Sequence, residues 1–444
     1  MKYILRVFIS LLLFTNVFAE NGLTVVSVGE AEVVKETLLV EKVFSEGAFT
    51  PNELEAAENY INIVRNDFKF YSNYFQVLPR RISQTSFDNV RFSTYKAKET
   101  NFLARFRVNR DNGTTNLEYR LWNTSNEKEL VTGSIAYDQN NRNAIHEIAD
   151  KFYRAIVGKP SIFKDKIVFV SDHKLPEGKK ELFIMDFDGA NPKRLTWHNG
   201  VVISPAVSHD GSKIVYSLID ESVKGAKKNV NLMIYDVATR KTKILSKRKG
   251  LNSGAIFTND GEEIILTLSH QGNAELYRMH LKTRKLTRLT KKFAPDVDPS
   301  LNAEGTILTF LSGRPGKPMI YTMDPSGLEK DVKRISYVGK YNATPRFHPN
   351  ASEIVFSSWL DNRFDLFKVG ADGQNLVRLT KDFGSNEDPE YSKDGQFIIF
   401  TSLRVISQSK ATQNVYIMDT WGKILGPLTS NFGKCTSGRW LKSL

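Results

Sequence analysis

The chain has 444 residues, of which 41% are hydrophobic, and a net charge of +13. This is enough apolar material for two or three packed domains, and the charge favours acidic partner surfaces. A single cysteine, Cys435, excludes an intrachain disulfide. We expect Cys435 to be a buried small residue and not a nucleophile.

Residues 1–19 have the pattern of a secretory signal peptide. Lys2 and Arg6 precede an apolar run that ends in Val17-Phe18-Ala19, a small-residue cleavage pattern. The run is short for a membrane-spanning helix. We therefore expect export, no membrane insertion after signal removal, and no nucleic-acid partner.

Residues 20–158 have the pattern of a small domain of mixed helices and strands. Thr50 and Pro51 suit the start of a helix that runs to Phe68, and Gly158 suits the end of a second helix from Asn141 to Val157. Alternating polar and apolar residues predict strands at 23–28, 37–44, 102–108, 116–122 and 130–137, the last three as an antiparallel meander.

Residues 159–444 contain a repeat. A proline-containing segment, an Asp-Gly or similar turn and an apolar strand recur with turn residues at 210, 260, 304, 350 and 394. We interpret each Asp-Gly pair as a two-residue hairpin turn. In phase with it run six segments of the Leu-Thr type, at 194–196, 244–246, 288–290, 334–336, 378–380 and 427–429. A period of about 40–50 residues is typical of propeller blades with four strands.

The two ends of this repeat complement each other. The first unit opens at Lys166 without a proline strand, and residues 437–441 form a strand with no unit of its own. Closing the ring with strands from both ends leaves no exposed sheet edge. The predicted fold is an α+β N-terminal domain followed by an all-β six-bladed β-propeller, with its ring closed by a C-terminal strand.

The sequence contains no motif of a common catalytic or metal site. G-x-S-x-G, H-E-x-x-H, P-loop and G-x-G-x-x-G patterns do not occur. The seven histidines lack metal-ligand spacing, so we expect them on the surface or in turns. Asp186 to Gly189 faintly resembles a calcium loop but is better interpreted as a turn between blade strands. We predict no catalytic residue, cofactor or metal.

The residues just before the prolines, and their equivalents in the two units that have no proline there, are the strongest candidates for a functional site. The first strand of each propeller blade lines the central channel, so these residues should ring one mouth of it. They are Ser204, Gly254, Asp298, Thr344, Asp388 and Ser437. Three interpretations stay open: turn chemistry, an acid–base pair of Asp298 and Asp388 for glycoside hydrolysis, and recognition of a partner's protruding segment.

The chain as a whole resembles the TolB family, the periplasmic component of the Tol–Pal system. The specific marks are Asp67-Phe68, residues 116–122, and the passage from Val157-Gly158 into the strand at Lys166. One departure concerns the blade strands that carry tryptophan in the family. Only Trp440 keeps it, while the other five positions hold Val207, Phe257, Leu301, Phe347 and Tyr391.

The resemblance implies a monomeric, non-enzymatic periplasmic adaptor. It would link inner-membrane Tol proteins to the outer-membrane lipoprotein Pal, supporting envelope integrity and outer-membrane constriction during cell division. The six ring residues would form part of the Pal site. A TolA-like protein would bind the mature N-terminal arm, which comprises Glu20, Asn21, Gly22, Leu23, Thr24, Val25, Val26 and Ser27. The alternative is an exported propeller that binds or cleaves a glycan or peptide in its central channel.

Overall fold

The computed structural model describes residues 34–79, 86–111, 113–219 and 229–442. The predicted signal peptide (1–19) and N-terminal arm (Glu20–Ser27) lie outside these ranges. Among the described helices, none combines the length and apolar character needed to cross a membrane.

The first part of the described chain is a mixed sheet covered by two long helices. Its elements in chain order are β1 (Glu36–Val40), β2 (Phe44–Glu46), α1 (Pro51–Phe70), β3 (Phe75–Val77), α2 (Phe92–Lys96), β4 (Phe102–Asp111), β5 (Thr114–Asn123), β6 (Lys128–Ala136) and α3 (Arg142–Val157). The sheet order is β3-β1-β4-β5-β6, and β2 pairs with β4. Strands β4, β5 and β6 form the predicted antiparallel meander, whereas β1 runs parallel to both of its neighbours.

Local sequence chemistry sets the ends of both long helices. At the start of α1, the Thr50 hydroxyl accepts from the Glu53 amide and the Glu53 carboxylate accepts from the Thr50 amide, which forms a capping box. At the end of α3, Gly158 takes the left-handed conformation (φ 78°) that favours glycine. The two predicted helices are present with ends shifted by at most two residues.

The second part is a ring of six four-stranded antiparallel sheets. Its strands are β7 (Lys166–Ser171), β8 (Glu181–Asp186), β9 (Lys193–Arg194), β10 (Val201–Val207), β11 (Lys213–Ile219), β12 (Val230–Asp236), β13 (Lys241–Ser246), β14 (Asn252–Phe257), β15 (Glu263–Leu268), β16 (Glu275–His280), β17 (Leu286–Arg288), β18 (Asp296–Leu301), β19 (Leu308–Ser312), β20 (Met319–Asp324), β21 (Lys330–Arg334), β22 (Asn342–Phe347), β23 (Glu353–Leu360), β24 (Arg363–Gly370), β25 (Val377–Arg378), β26 (Ser385–Tyr391), β27 (Phe397–Ser407), β28 (Lys410–Asp419), β29 (Ile424–Pro427) and β30 (Cys435–Leu441).

The ring closes as predicted, through the last strand of the chain. One sheet has the order β30-β7-β8-β9, with Cys435 opposite Ser171 and Leu441 opposite Lys166. Cys435 and Trp440 of this strand are fully buried. The six-bladed propeller is confirmed, and each of the other five blades is built from four consecutive strands.

The Asp-Gly pairs do not form two-residue hairpin turns. The loop from β26 to β27 spans five residues, and within it the Gly395 amide donates to the Ser392 carbonyl. Gly395 has φ 72°, while the Asp394 carboxylate accepts from the Gln396 amide (3.1 Å). Only the glycine has a positive φ, so the aspartate serves to bond the loop's backbone.

The N-terminal helices and the propeller share one continuous apolar core. The Tyr71 ring packs on Phe397 with centroids 4.9 Å apart, and its hydroxyl donates to the Asp394 carboxylate (2.6 Å). The same hydroxyl accepts from the Ile162 amide (3.1 Å), in the segment that joins α3 to β7. The two parts of the described chain therefore pack together through buried contacts.

Deleting residues 437–444 should lower the free energy of unfolding by at least ~3 kcal/mol, because the loss of a buried tryptophan alone costs about that much. The deletion also leaves β7 with an unpaired edge. Urea unfolding of the purified protein measures the change. Deleting only residues 443–444 keeps β30 complete and is the control. Equal stability of the two truncated proteins would contradict the role of β30.

Candidate functional site

The channel of the propeller holds a cavity of about 600 Å³. Its walls come from the innermost strands of the blades, and its lining continues to the loops that follow these strands. At the loop end it is lined by residues of α3 and of the segment after it, namely Asp150, Arg154, Pro160, Ser161, Lys164 and Asp165. The cavity is therefore bounded on one side by the N-terminal part of the chain.

The six predicted residues occupy equivalent positions, which we call the first ring: Ser204, Gly254, Asp298, Thr344, Asp388 and Ser437. Each lies within the innermost strand of its blade, at a bulge in the pairing with the next strand. All except Ser437 line the cavity, and the residues that precede them in their strands do not. The first ring thus marks the end of the cavity opposite α3.

All six first-ring residues have a left-handed backbone, with φ between 50° and 59°. For the five that are not glycine this conformation costs about 1–2 kcal/mol each. Hydroxyl groups of neighbouring blades support it: the Asp388 amide donates to Ser357 Oγ (3.2 Å) and the Ser437 amide to Thr401 Oγ1 (3.0 Å). Repeated backbone strain that the surrounding structure maintains is a feature of binding and catalytic sites.

A second ring, which was not predicted from the sequence, lies two residues further along each innermost strand. It consists of Ala206, Ile256, Ser300, Arg346, Glu390 and Arg439, all of which line the cavity. A period of two along a strand could have identified these positions, because alternate residues face the same side. The six residues include apolar, polar, acidic and basic side chains, so they do not stand out as equivalent positions of the repeat in the sequence.

Asp388 is held by two arginines of the second ring. Arg439 Nη2 lies 2.6 Å from Asp388 Oδ1, and Arg346 Nη2 lies 3.7 Å from the same oxygen. Burial acts to raise the pKa of Asp388, but Arg439 and Arg346 together hold that pKa below its usual value. Arg439 also pairs with Glu390 (3.1 Å) and donates to the Pro205 carbonyl (3.0 Å), so it joins three blades.

Asp298 has a different environment. Among the described residues, its carboxylate has neither a hydrogen bond nor an ion pair. Its Oδ1 lies close to Gly254, 3.5 Å from the position that a Cβ of that residue would take. Burial raises the pKa of Asp298 and the charge of Asp388 adds to this effect, while Arg346 and Arg439 act against it. The site therefore presents one carboxyl group that is available to a ligand.

The geometry can bind a segment of mixed polarity. Asp298 can accept hydrogen bonds from a ligand's amide or ammonium groups, and Arg346 can donate to its carbonyl or carboxylate groups. Ala206, Ile256 and Leu301 supply apolar wall. Asp388 is paired with Arg439, so only Asp298 of the postulated acid–base pair has a carboxyl group that a ligand can reach.

One histidine contradicts the sequence analysis. His146 lies on α3 with only 1% of its surface exposed, and its Nδ1 is 2.8 Å from Asp67 Oδ2. The expectation that every histidine lies on the surface or in a turn is therefore wrong. Asp186 to Gly189 does form a turn between β8 and β9, as expected.

Comparison with known proteins gives matches in both parts of the chain. The model of the TolB amino-terminal domain matches residues 44–130, and that of the TolB beta propeller domain matches residues 153–356. The Tol-Pal system protein TolB of Rickettsia prowazekii is 29% identical over 226 residues, which is 48% of each chain. Its counterpart from Rickettsia canadensis is 31% identical over 237 residues, 50% of this chain and 52% of the relative.

The aligned part of the chain thus spans about half the length of the curated relatives it matches. Among solved structures, the crystal structure of TolB from Acinetobacter baumannii is similar to this chain with a TM-score of 0.76. The similarity covers 93% of this chain and 98% of that one, at 22% sequence identity. At this identity the comparison shows a shared fold.

Replacing each of the two first-ring carboxylates by asparagine should have different effects on the free energy of unfolding. Asp388→Asn removes the charge that balances Arg439, so we expect it to cost about 3 kcal/mol of unfolding free energy at pH 7, as for a broken buried pair. Because the folded pKa of Asp388 is lowered, its contribution is present above the unfolded pKa of about 4 and is lost as the pH falls.

Asp298→Asn is the matched comparison. The folded pKa of Asp298 is raised, so its contribution is fully present below about pH 4 and is lost as the pH rises through the folded pKa. We expect this variant to be at least as stable as the wild type at pH 7. Urea unfolding between pH 3 and pH 8 measures both effects. Equal losses of stability at pH 7 would contradict the different environments of the two carboxylates.

Proposed function

Because the chain belongs to the TolB family, we propose that it is a periplasmic adaptor that links inner-membrane Tol proteins to a Pal-like outer-membrane lipoprotein. The proposal includes export by residues 1–19, an α/β domain at 20–158 and a propeller at 159–444. It also includes a monomeric state and a role in envelope integrity and outer-membrane constriction during cell division.

The observation that carries the proposal is the pair of rings at the end of the channel cavity. The first ring is strained and half-buried, and it contains a carboxylate, Asp298, that has no protein partner among the described residues. Because this carboxylate lines the cavity and no protein group holds it, it can accept hydrogen bonds from a ligand, which supports a binding role. A protruding polypeptide segment of Pal supplies backbone N–H groups that Asp298 can bind.

The proposal assigns the chain no catalytic activity. General acid–base cleavage of a glycosidic bond needs two carboxyl groups on either side of the bond. Asp388 is engaged by Arg439 and Arg346, and its carboxylate supports the closing strand of the ring. The arrangement thus suits recognition better than hydrolysis.

A bulky cation in the first ring should block the Pal site. Ser204 has a half-buried side chain and already has φ 51°, and Arg240 and Arg284 show that arginine adopts this backbone elsewhere in the chain. We expect Ser204→Arg to weaken binding of the Pal periplasmic domain at least tenfold, because the side chain fills space that the partner needs. Isothermal titration calorimetry measures the dissociation constant.

Asn375→Arg is the control, since Asn375 is exposed, has φ 57° and lies in the loop between β24 and β25. Unchanged Pal affinity in Ser204→Arg, with normal thermal stability, would contradict the ring as a Pal site. If wild-type protein releases fragments from peptidoglycan or peptide libraries and Asp298→Asn does not, the channel is catalytic and the alternative function holds.

The second partner is assigned to the N-terminal arm. We expect deletion of Glu20–Ser27 to weaken binding of a TolA-like protein at least tenfold and to leave the melting temperature within about 1 °C. Calorimetry and differential scanning fluorimetry measure the two quantities, with Pal binding as the internal control. A large fall in melting temperature would show that Leu23, Val25 and Val26 belong to a packed core instead.

A further inference from the structure

Three side chains meet where the N-terminal helices contact the first blade. Asp67 lies on α1, His146 on α3 and Asp188 in the turn between β8 and β9. Each offers one potential metal-ligand atom, and the three atoms lie within 4.8 Å of one another. None of the three lines the channel cavity.

Asp67 supplies a second, independent observation. Its side chain is fully buried, and its Oδ2 lies 2.8 Å from His146 Nδ1. Its other oxygen, Oδ1, is buried and has no hydrogen-bond partner among the described residues. Leaving a buried carboxylate oxygen without a partner is costly, so the site is built for one more electropositive group.

We propose that Asp67, His146 and Asp188 form a binding site for a divalent transition-metal ion, with Zn²⁺ as the best match. One imidazole nitrogen and two carboxylates form a donor set that Zn²⁺ accepts, usually with water in a fourth position. Ca²⁺ and Mg²⁺ prefer all-oxygen sites, and the buried imidazole disfavours them. The proposal does not rest on the function proposed above.

Arg142 already places a positive charge at this site. Its guanidinium contacts the Asp188 carboxylate and lies 3.5 Å from His146 Nε2. It also contacts Asp186 (3.3 Å), which Lys166 Nζ approaches to 2.7 Å. A bound metal ion would therefore compete with Arg142 for the Asp188 carboxylate. When the guanidinium of Arg142 is displaced from Asp188, it can stay paired with Asp186. This competition makes Arg142 the residue that sets the affinity.

A metal held here would fasten both long helices to the propeller, because its ligands come from α1, α3 and the first blade. Full-length mature protein, first treated with EDTA, is titrated with Zn²⁺ in a calorimeter and its melting temperature is measured with and without Zn²⁺. We expect one bound Zn²⁺ and a rise of a few degrees. Arg142→Gln should bind Zn²⁺ at least tenfold more tightly, since it removes the competing cation.

His146→Asn and Asp67→Asn should weaken Zn²⁺ binding at least tenfold. His280→Asn, at the end of β16, is the matched control. If the two buried variants do not fold, Asp188→Asn is used instead, because Asp188 lies in a turn. Co²⁺ then replaces Zn²⁺ as the probe, and loss of the visible absorption of bound Co²⁺ shows that the variant no longer binds the metal. Unchanged Zn²⁺ affinity in the folded ligand variants, or weaker binding in Arg142→Gln, would overturn the proposal.

Discussion

The pairing of the last strand with the first strand of the propeller is the constraint on which the structure depends. β30 supplies the innermost strand of the blade that begins at Lys166, and it contacts the innermost strands of both neighbouring blades, β26 and β10. Arg439 of β30 binds Asp388 in the preceding blade and the Pro205 carbonyl in the following one. Closing the ring therefore also places a cation in the second ring, so stability and the candidate site share residues.

Most of the fold could be predicted because it follows from local sequence chemistry. The repeat spacing, the capping residues Thr50 and Gly158, and the missing strand of the first unit each reflect short-range rules. The short elements β3 and α2 were missed because their sequences are not periodic. Helix α2 is held instead by tertiary contacts, since the buried Tyr95 donates to Glu41 (2.7 Å) and accepts from Arg105 (2.8 Å).

The sequence predicted where the candidate site lies, but not how its side chains interact with one another. The first ring follows from where prolines stand in the repeat, but the difference between Asp298 and Asp388 depends on an arginine 51 residues beyond Asp388. The burial of His146 depends in the same way on Asp67, 79 residues earlier in the chain. Local patterns carry no information on such partners, which is why both the engaged carboxylate and the buried histidine required the structure.

Closure by the last strand also fixes when the protein can finish folding. Ser171 and Cys435, which face each other across this pairing, are 264 residues apart in the chain. Contacts of such high sequence separation form slowly, because a long loop must be ordered first. During synthesis, one edge of β7 stays unpaired until residues 435–441 emerge, and unpaired edges promote aggregation. Five of the six blades can therefore be complete before the ring closes, and closure waits for the strand at residues 435–441.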